Sequence, residues 1–71
     1  MPTSIEVGRR LRKLRGGENR DDVAAAVGIS ASALGMYECG QRMPRDDIKI
    51  SLANYFGTTV QDLFFDDIGG K

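Results

Sequence analysis

Glycine placement constrains this chain more than any other feature. Glycines at 16–17, 28, 40 and 57 cut it into five short segments, each with its own helix-start signal. None of the segments has the apolar-polar alternation of a strand, so the sequence predicts an all-α fold of five helices.

The start signals are local and chemical. Thr3 and Glu6 have the spacing of a capping box, and Val7, Leu11 and Leu14 follow at i, i+4 and i+7. This stripe is expected to face inward with the arginines on the other side. Asn19 can cap a second helix whose first turn holds Asp21 and Asp22 and whose Val23, Ala24 and Val27 face the core. Ser30 opens a third helix running to Glu38, with Leu34 and Tyr37 on its buried side. After Pro44, Ile48, Leu52 and Phe56 form the stripe of a fourth helix, and Thr59 with Asp62 caps a short fifth one carrying Val60, Leu63 and Phe64. The last residues, 66–71, are expected to fray from an ordered core of about residues 3–65, the whole of 1–71 being one domain.

Composition removes several function classes. The 71 residues contain no histidine, and Cys39 is the single cysteine. An internal disulfide is therefore impossible, and the thiol has no histidine to activate it for catalysis. Asp21-Asp22, Asp46-Asp47 and Asp66-Asp67 are sequence neighbours, which on a helix point apart rather than forming a catalytic dyad. Metal ligands are equally scarce, and no lysine-serine pair follows Gly16-Gly17 as a phosphate loop would require. The chain is expected to be no enzyme, to need no cofactor and to have no small-molecule substrate. No apolar run nears the ~18 residues of a membrane span, and residues 1–6 lack the pattern of a secretory signal, so a cytoplasmic location is expected. Net charge is zero, but residues 1–20 carry +4 and residues 21–71 carry −4.

Between Asn19 and Gly40, two helices of about two turns are joined by the tight Val27-Gly28-Ile29-Ser30 connection, the pattern of a helix-turn-helix. Glycine suits the bend, Ile29 can fill the angle, and Ala24 permits close approach of the third helix. The chain carries G-R-R-L-R-K-L-R at Gly8 to Arg15, D-V-A-A-A-V-G-I-S at Asp22 to Ser30 and M-Y-E-C-G at Met36 to Gly40. P-R-D-D-I-K at Pro44 to Lys49 and L-A-N-Y-F-G-T-T-V-Q-D-L-F at Leu52 to Phe64 complete the series. Together these resemble the lambda-repressor-like, Cro/C1-type helix-turn-helix regulators, in particular small phage-type repressors, over Val7 to Phe65.

The resemblance implies a homodimer that binds a two-fold operator in double-stranded DNA and regulates transcription as a repressor. It puts Ala31, Ser32, Gly35 and Met36 on the groove face of the third helix. Relatives often carry Gln, Lys or Arg at several of these positions; here methyl contacts from Ala31 and Met36, a Ser32 hydrogen bond and DNA shape are left to give specificity. Arg20, at the N-terminus of the second helix, and Gln41, Arg42 and Arg45, in the loop after the third, are expected on the sugar-phosphate backbone. Glu38 is expected to pair inward with Arg10 or Lys13. Cys39 reads as inert. Phe65 lies off the stripe of the fifth helix and, with Ile68, is expected either in a symmetric dimer contact or against the first helix. A small uncharged groove face also suits a different class, an antitoxin-like protein-interaction module of the same fold with weak or no DNA binding.

Overall fold

Thr3 begins the first helix through a reciprocal cap. The computed structural model describes residues 3–65. At its start the Thr3 N–H donates to Glu6 Oε1 at 2.8 Å while the Glu6 N–H donates to Thr3 Oγ1 at 3.2 Å, so both residues act as donor and acceptor. The helix α1 spans Ser4–Arg15, and α2 (Arg20–Val27), α3 (Ala31–Cys39), α4 (Asp46–Phe56) and a π-helical turn (Gln61–Phe65) follow, with no strand among the described residues. The all-α, five-helix architecture is the one expected, except that its last member is wound as π rather than α.

Three more caps hold helix starts. Asn19 Oδ1 accepts from the Asp21 N–H at 2.7 Å, Ser30 Oγ from Ala33 at 3.0 Å and Thr59 Oγ1 from Asp62 at 3.0 Å. At the other ends, α2, α3 and α4 close with a left-handed glycine whose following N–H reaches back five residues, as in Ile29 to the Ala24 carbonyl at 2.9 Å.

One apolar cluster joins the elements. Val7 and Leu11 from α1, Val23, Ala24 and Val27 from α2, Leu34 from α3, Leu52 and Ala53 from α4, and Leu63 and Phe64 from the π-turn are all buried. Here α1 lies flush on α3. A Cβ on Gly8 would stand 2.7 Å from the Glu38 carbonyl carbon and 2.7 Å from the Tyr37 oxygen, so backbone touches backbone where any side chain would intrude. Gly40 sits equally close to α1, where a Cβ would stand 2.8 Å from Ile5 Cα.

Two expectations about α1 are corrected by this packing. Leu14 is 40% exposed, because the stripe that meets α3 runs through Val7, Gly8, Leu11 and then Arg15, four residues on from Leu11 rather than three. Leu14 instead borders an open cleft with Arg10, Lys13, Thr58, Asp62 and Leu63. Correspondingly, Arg10 does not approach Glu38; its Nη1 donates to the carbonyls of Asp62 at 3.1 Å and Leu63 at 3.2 Å, tying the π-turn to α1. The expected fraying of residues 66–71 and the role of Ile68 lie outside the described residues.

Candidate nucleic-acid interface

The α2-turn-α3 unit is fixed from its inner side. Gly28 adopts φ 80°, ψ 31°, a left-handed conformation that costs glycine nothing and lets the chain reverse in one residue. Ile29 packs half-buried against the core, Ala24 beneath it is 1% exposed, and Leu34 is fully buried. Tyr37 is half-buried against the same cluster. With that side committed to the core, the opposite side of α3 is left partly open, Ser32 being exposed and Gly35 and Met36 half-buried.

The expected groove residues differ in setting. Ser32 is exposed, Gly35 and Met36 are half-buried, and Ala31, also half-buried, packs in part against the core. Among the expected backbone contacts, Gln41 and Arg42 are exposed in the connection leaving α3, and the Gln41 N–H donates to the Met36 carbonyl at 3.0 Å. Arg45 occupies the N-cap position of α4 without a side-chain cap, its exposed Nε 3.7 Å from Asp47 Oδ1. Arg20 does not stand clear of the domain. Its guanidinium lies across Gly35, with Nη1 3.5 Å and Cζ 3.9 Å from where a Cβ of residue 35 would be.

Glu38 organises this corner, and with partners other than those expected. Its buried carboxylate takes Arg15 Nε at 2.6 Å on Oε2 and Arg15 Nη2 at 3.1 Å on Oε1, and Arg20 Nε stands 3.4 Å from Oε1. Arg10 and Lys13, the expected partners, face the π-turn side of α1. Arg15 follows Leu11 by four residues and Gly8 by seven, so the helix period puts it on the face that touches α3. That spacing was the available signal, masked by an apolar-only reading of the stripe. Arg15 Nη1 also donates to the Glu18 carbonyl at 2.8 Å, closing the α1–α2 loop. The hydrogen bond to Glu38 raises the Arg15 guanidinium above its ordinary pKa, with burial opposing. Glu38 is the only acid on α3; the helix therefore turns its one negative charge inward, where cations offset it.

Phe65 packs half-buried at the edge of the core, with Lys49 Nζ 5.0 Å from its ring centroid. It borders an open apolar cleft with Val60 and Ile50, the latter 53% exposed. Cys39 is exposed. Among the described residues no cluster of His, Cys, Asp or Glu could hold a metal ion, and no helix is long and apolar enough to cross a membrane.

A turn of this geometry, with one face of α3 committed to the core and the other open, defines a helix-turn-helix protein. Residues 9–63 match the helix-turn-helix family model, and the chain belongs to the lambda-repressor-like, Cro/C1-type helix-turn-helix family of DNA-binding transcription regulators. It is similar to the restriction-modification controller protein C.AhdI from Aeromonas hydrophila, with 30% identity over 86% of this chain and 96% of that one and a TM-score of 0.78. The clp gene regulator ClgR from Corynebacterium glutamicum is 25% identical over 96% of this chain and 76% of its own, with a TM-score of 0.80. The P22 c2 repressor, solved with a synthetic operator, shares the fold at 21% identity and a TM-score of 0.79, covering 84% of this chain and 96% of its own. No curated protein sequence matches the chain.

Proposed function

We propose that this chain acts as a cytoplasmic transcriptional repressor that binds a two-fold operator as a homodimer, with two α3 helices in successive major grooves ~34 Å apart. One observation carries the reading: α3 buries its only acid and leaves Ser32, Gly35 and Met36 on an acid-free face beside an arginine. An acidic side chain on that face would repel phosphate; an inward, neutralised one does not. Ala31 and Met36 meet thymine methyls, Ser32 hydrogen-bonds a base or phosphate, and Gly35 allows close approach. Gln41, Arg42 and Arg45 contribute the sugar-phosphate contacts that set register, and Arg20 adds a further DNA contact from the start of α2. Phe65, continued by Ile68, forms the dimer contact, a role favoured by the exposed Ile50 beside it.

The test is selection of bound duplexes from a random pool, followed by salt titration on the enriched sequence. A two-fold sequence is expected, with log affinity falling against log salt at a slope of about −0.9 per phosphate contact, and Arg42→Ala is expected to shallow the slope by about 1. Failure to enrich any two-fold sequence, or binding indifferent to salt, would instead identify a protein-interaction module built on the same fold.

A further inference from the structure

The groove face of α3 has no side chain able to make a bidentate contact with a base, since Ala31, Ser32, Gly35 and Met36 are all short or apolar. Strong discrimination in the major groove comes from planar forks, Arg to guanine O6 and N7 or Asn and Gln to adenine. Such a fork is present, but it belongs to the neighbouring helix. Arg20 Nη1 lies 3.5 Å from the Cβ position of Gly35, so the guanidinium lies over residue 35, where a side chain longer than alanine would meet it. Its Nε faces Glu38 Oε1 at 3.4 Å, and its side chain is 47% exposed.

Each neighbour contributes something distinct to this pose. Gly35 leaves the space. Glu38, three residues further along α3, presents a fixed acceptor, buried and clamped from the other side by Arg15 at 2.6 and 3.1 Å. Arg15 offsets the carboxylate charge, so the cluster of two arginines and one acid stays net positive. With Nε turned toward Glu38, Nη1 and Nη2 remain as the end of the guanidinium used for bidentate recognition. A phosphate contact from a helix N-terminus needs charge and free N–H groups; it does not need an Nε held beside a buried carboxylate.

We propose that Arg20 reads a base, donating from Nη1 and Nη2 to N7 and O6 of a guanine in each half-site, with Glu38 as its positioning residue. This deepens the operator-binding reading and rests on it. The recognition surface is then composite: α3 contributes shape and methyl contacts, and α2 contributes the hydrogen-bonding fork.

The experiment is duplex selection with the parent, Arg20→Ala, Arg20→Lys and Glu38→Gln, each checked for folding by circular dichroism. It is paired with binding of the parent to its enriched duplex carrying 7-deazaguanine, which lacks N7. The parent is expected to enrich a two-fold sequence with one guanine per half-site that Arg20→Ala and Arg20→Lys no longer select, a loss of about tenfold to a hundredfold in preference at that position alone. Glu38→Gln should weaken the same preference. The 7-deazaguanine substitution should lower parent affinity at that position and have no effect on Arg20→Ala. Uniform weakening of Arg20→Ala on every duplex, rescued by Arg20→Lys and with 7-deazaguanine tolerated everywhere, would overturn the guanine contact while leaving operator binding intact. Should Arg20→Ala not fold, the 7-deazaguanine result with the parent decides alone. If the parent enriches nothing, both readings fall together.

Discussion

At Glu38 a carboxylate lies in the interior of a small domain, and its partners determine whether that is tolerable. Burying an ion is costly, and removing one member of a buried pair leaves the other uncompensated, at about 3–5 kcal/mol. Arg15 is largely buried and makes a two-pronged contact, whereas Arg20 is half-exposed. Glu38→Ala is accordingly expected to lower stability by about 3 kcal/mol, a large share of what a domain this small possesses, while Arg20→Ala lowers it by less than about 1 kcal/mol. Urea denaturation of both variants checks the contrast. Tyr55 offers a second residue-level test. Its O–H donates to Glu18 Oε1 at 2.5 Å, and this bond, followed by burial and the charges of Glu18 and Asp22, raises its pKa. A raised folded value means the native chain holds that proton more tightly than the unfolded one. The contribution is therefore complete below the ordinary tyrosine value of about 10 and is lost as pH rises through the folded value. Melting curves of parent and Tyr55→Phe should differ below that range and converge above it; a constant difference would show that the bond does not titrate.

Two glycines within helices test how the elements meet. Alanine in place of a mid-helix glycine gains up to about 1 kcal/mol of helix propensity wherever its methyl fits. At Gly35 the new Cβ would meet Arg20 Nη1 at 3.5 Å, an ordinary contact, so Gly35→Ala is expected to stabilise by about 0.5–1 kcal/mol. At Gly8 it would meet α3 backbone at 2.7 Å, so Gly8→Ala is expected to destabilise by about 2–3 kcal/mol despite the same propensity gain. Opposite shifts in melting temperature are the check. The same pair marks where the sequence was legible. Helix starts could be read from Thr3, Asn19, Ser30 and Thr59 because each cap is a contact between residues two or three apart, and helix ends from glycines for the same reason. The identity of Glu38's partner, the burial of Gly8 and the seat of Arg20 over Gly35 were not legible in that way. They depend on which stripe of α1 lies against α3 and on how α2 crosses it, and those choices are made by residues 15 or more apart. Leu14 stays exposed because an apolar residue and an arginine compete for the end of one stripe, and the place against α3 goes to Arg15, paired with Glu38. The π winding of Gln61–Phe65 has no sequence signature that a capping pair and a short apolar run would reveal.

For the molecule as a whole, assembly is the property that converts one groove contact into recognition of a two-fold site. If Phe65 forms the proposed dimer contact, Phe65→Ala is expected to sediment as a monomer and the parent as a dimer at the same concentration, with helical content equal in the two. A variant as oligomeric as the parent would move the contact elsewhere. The ties of Arg10 to Asp62 and Leu63 carry a mechanical consequence for such a dimer. They fasten the segment bearing Phe65 to one flank of α1, and the backbone contact at Gly8 fastens the other flank to α3. A helix of 12 residues, about 18 Å long, thus works as a strut between the surface where two copies would join and the surface that would enter DNA. The spacing between half-sites would be set by a rigid rod rather than by a loop, and a dimer built this way would tolerate little variation in operator length.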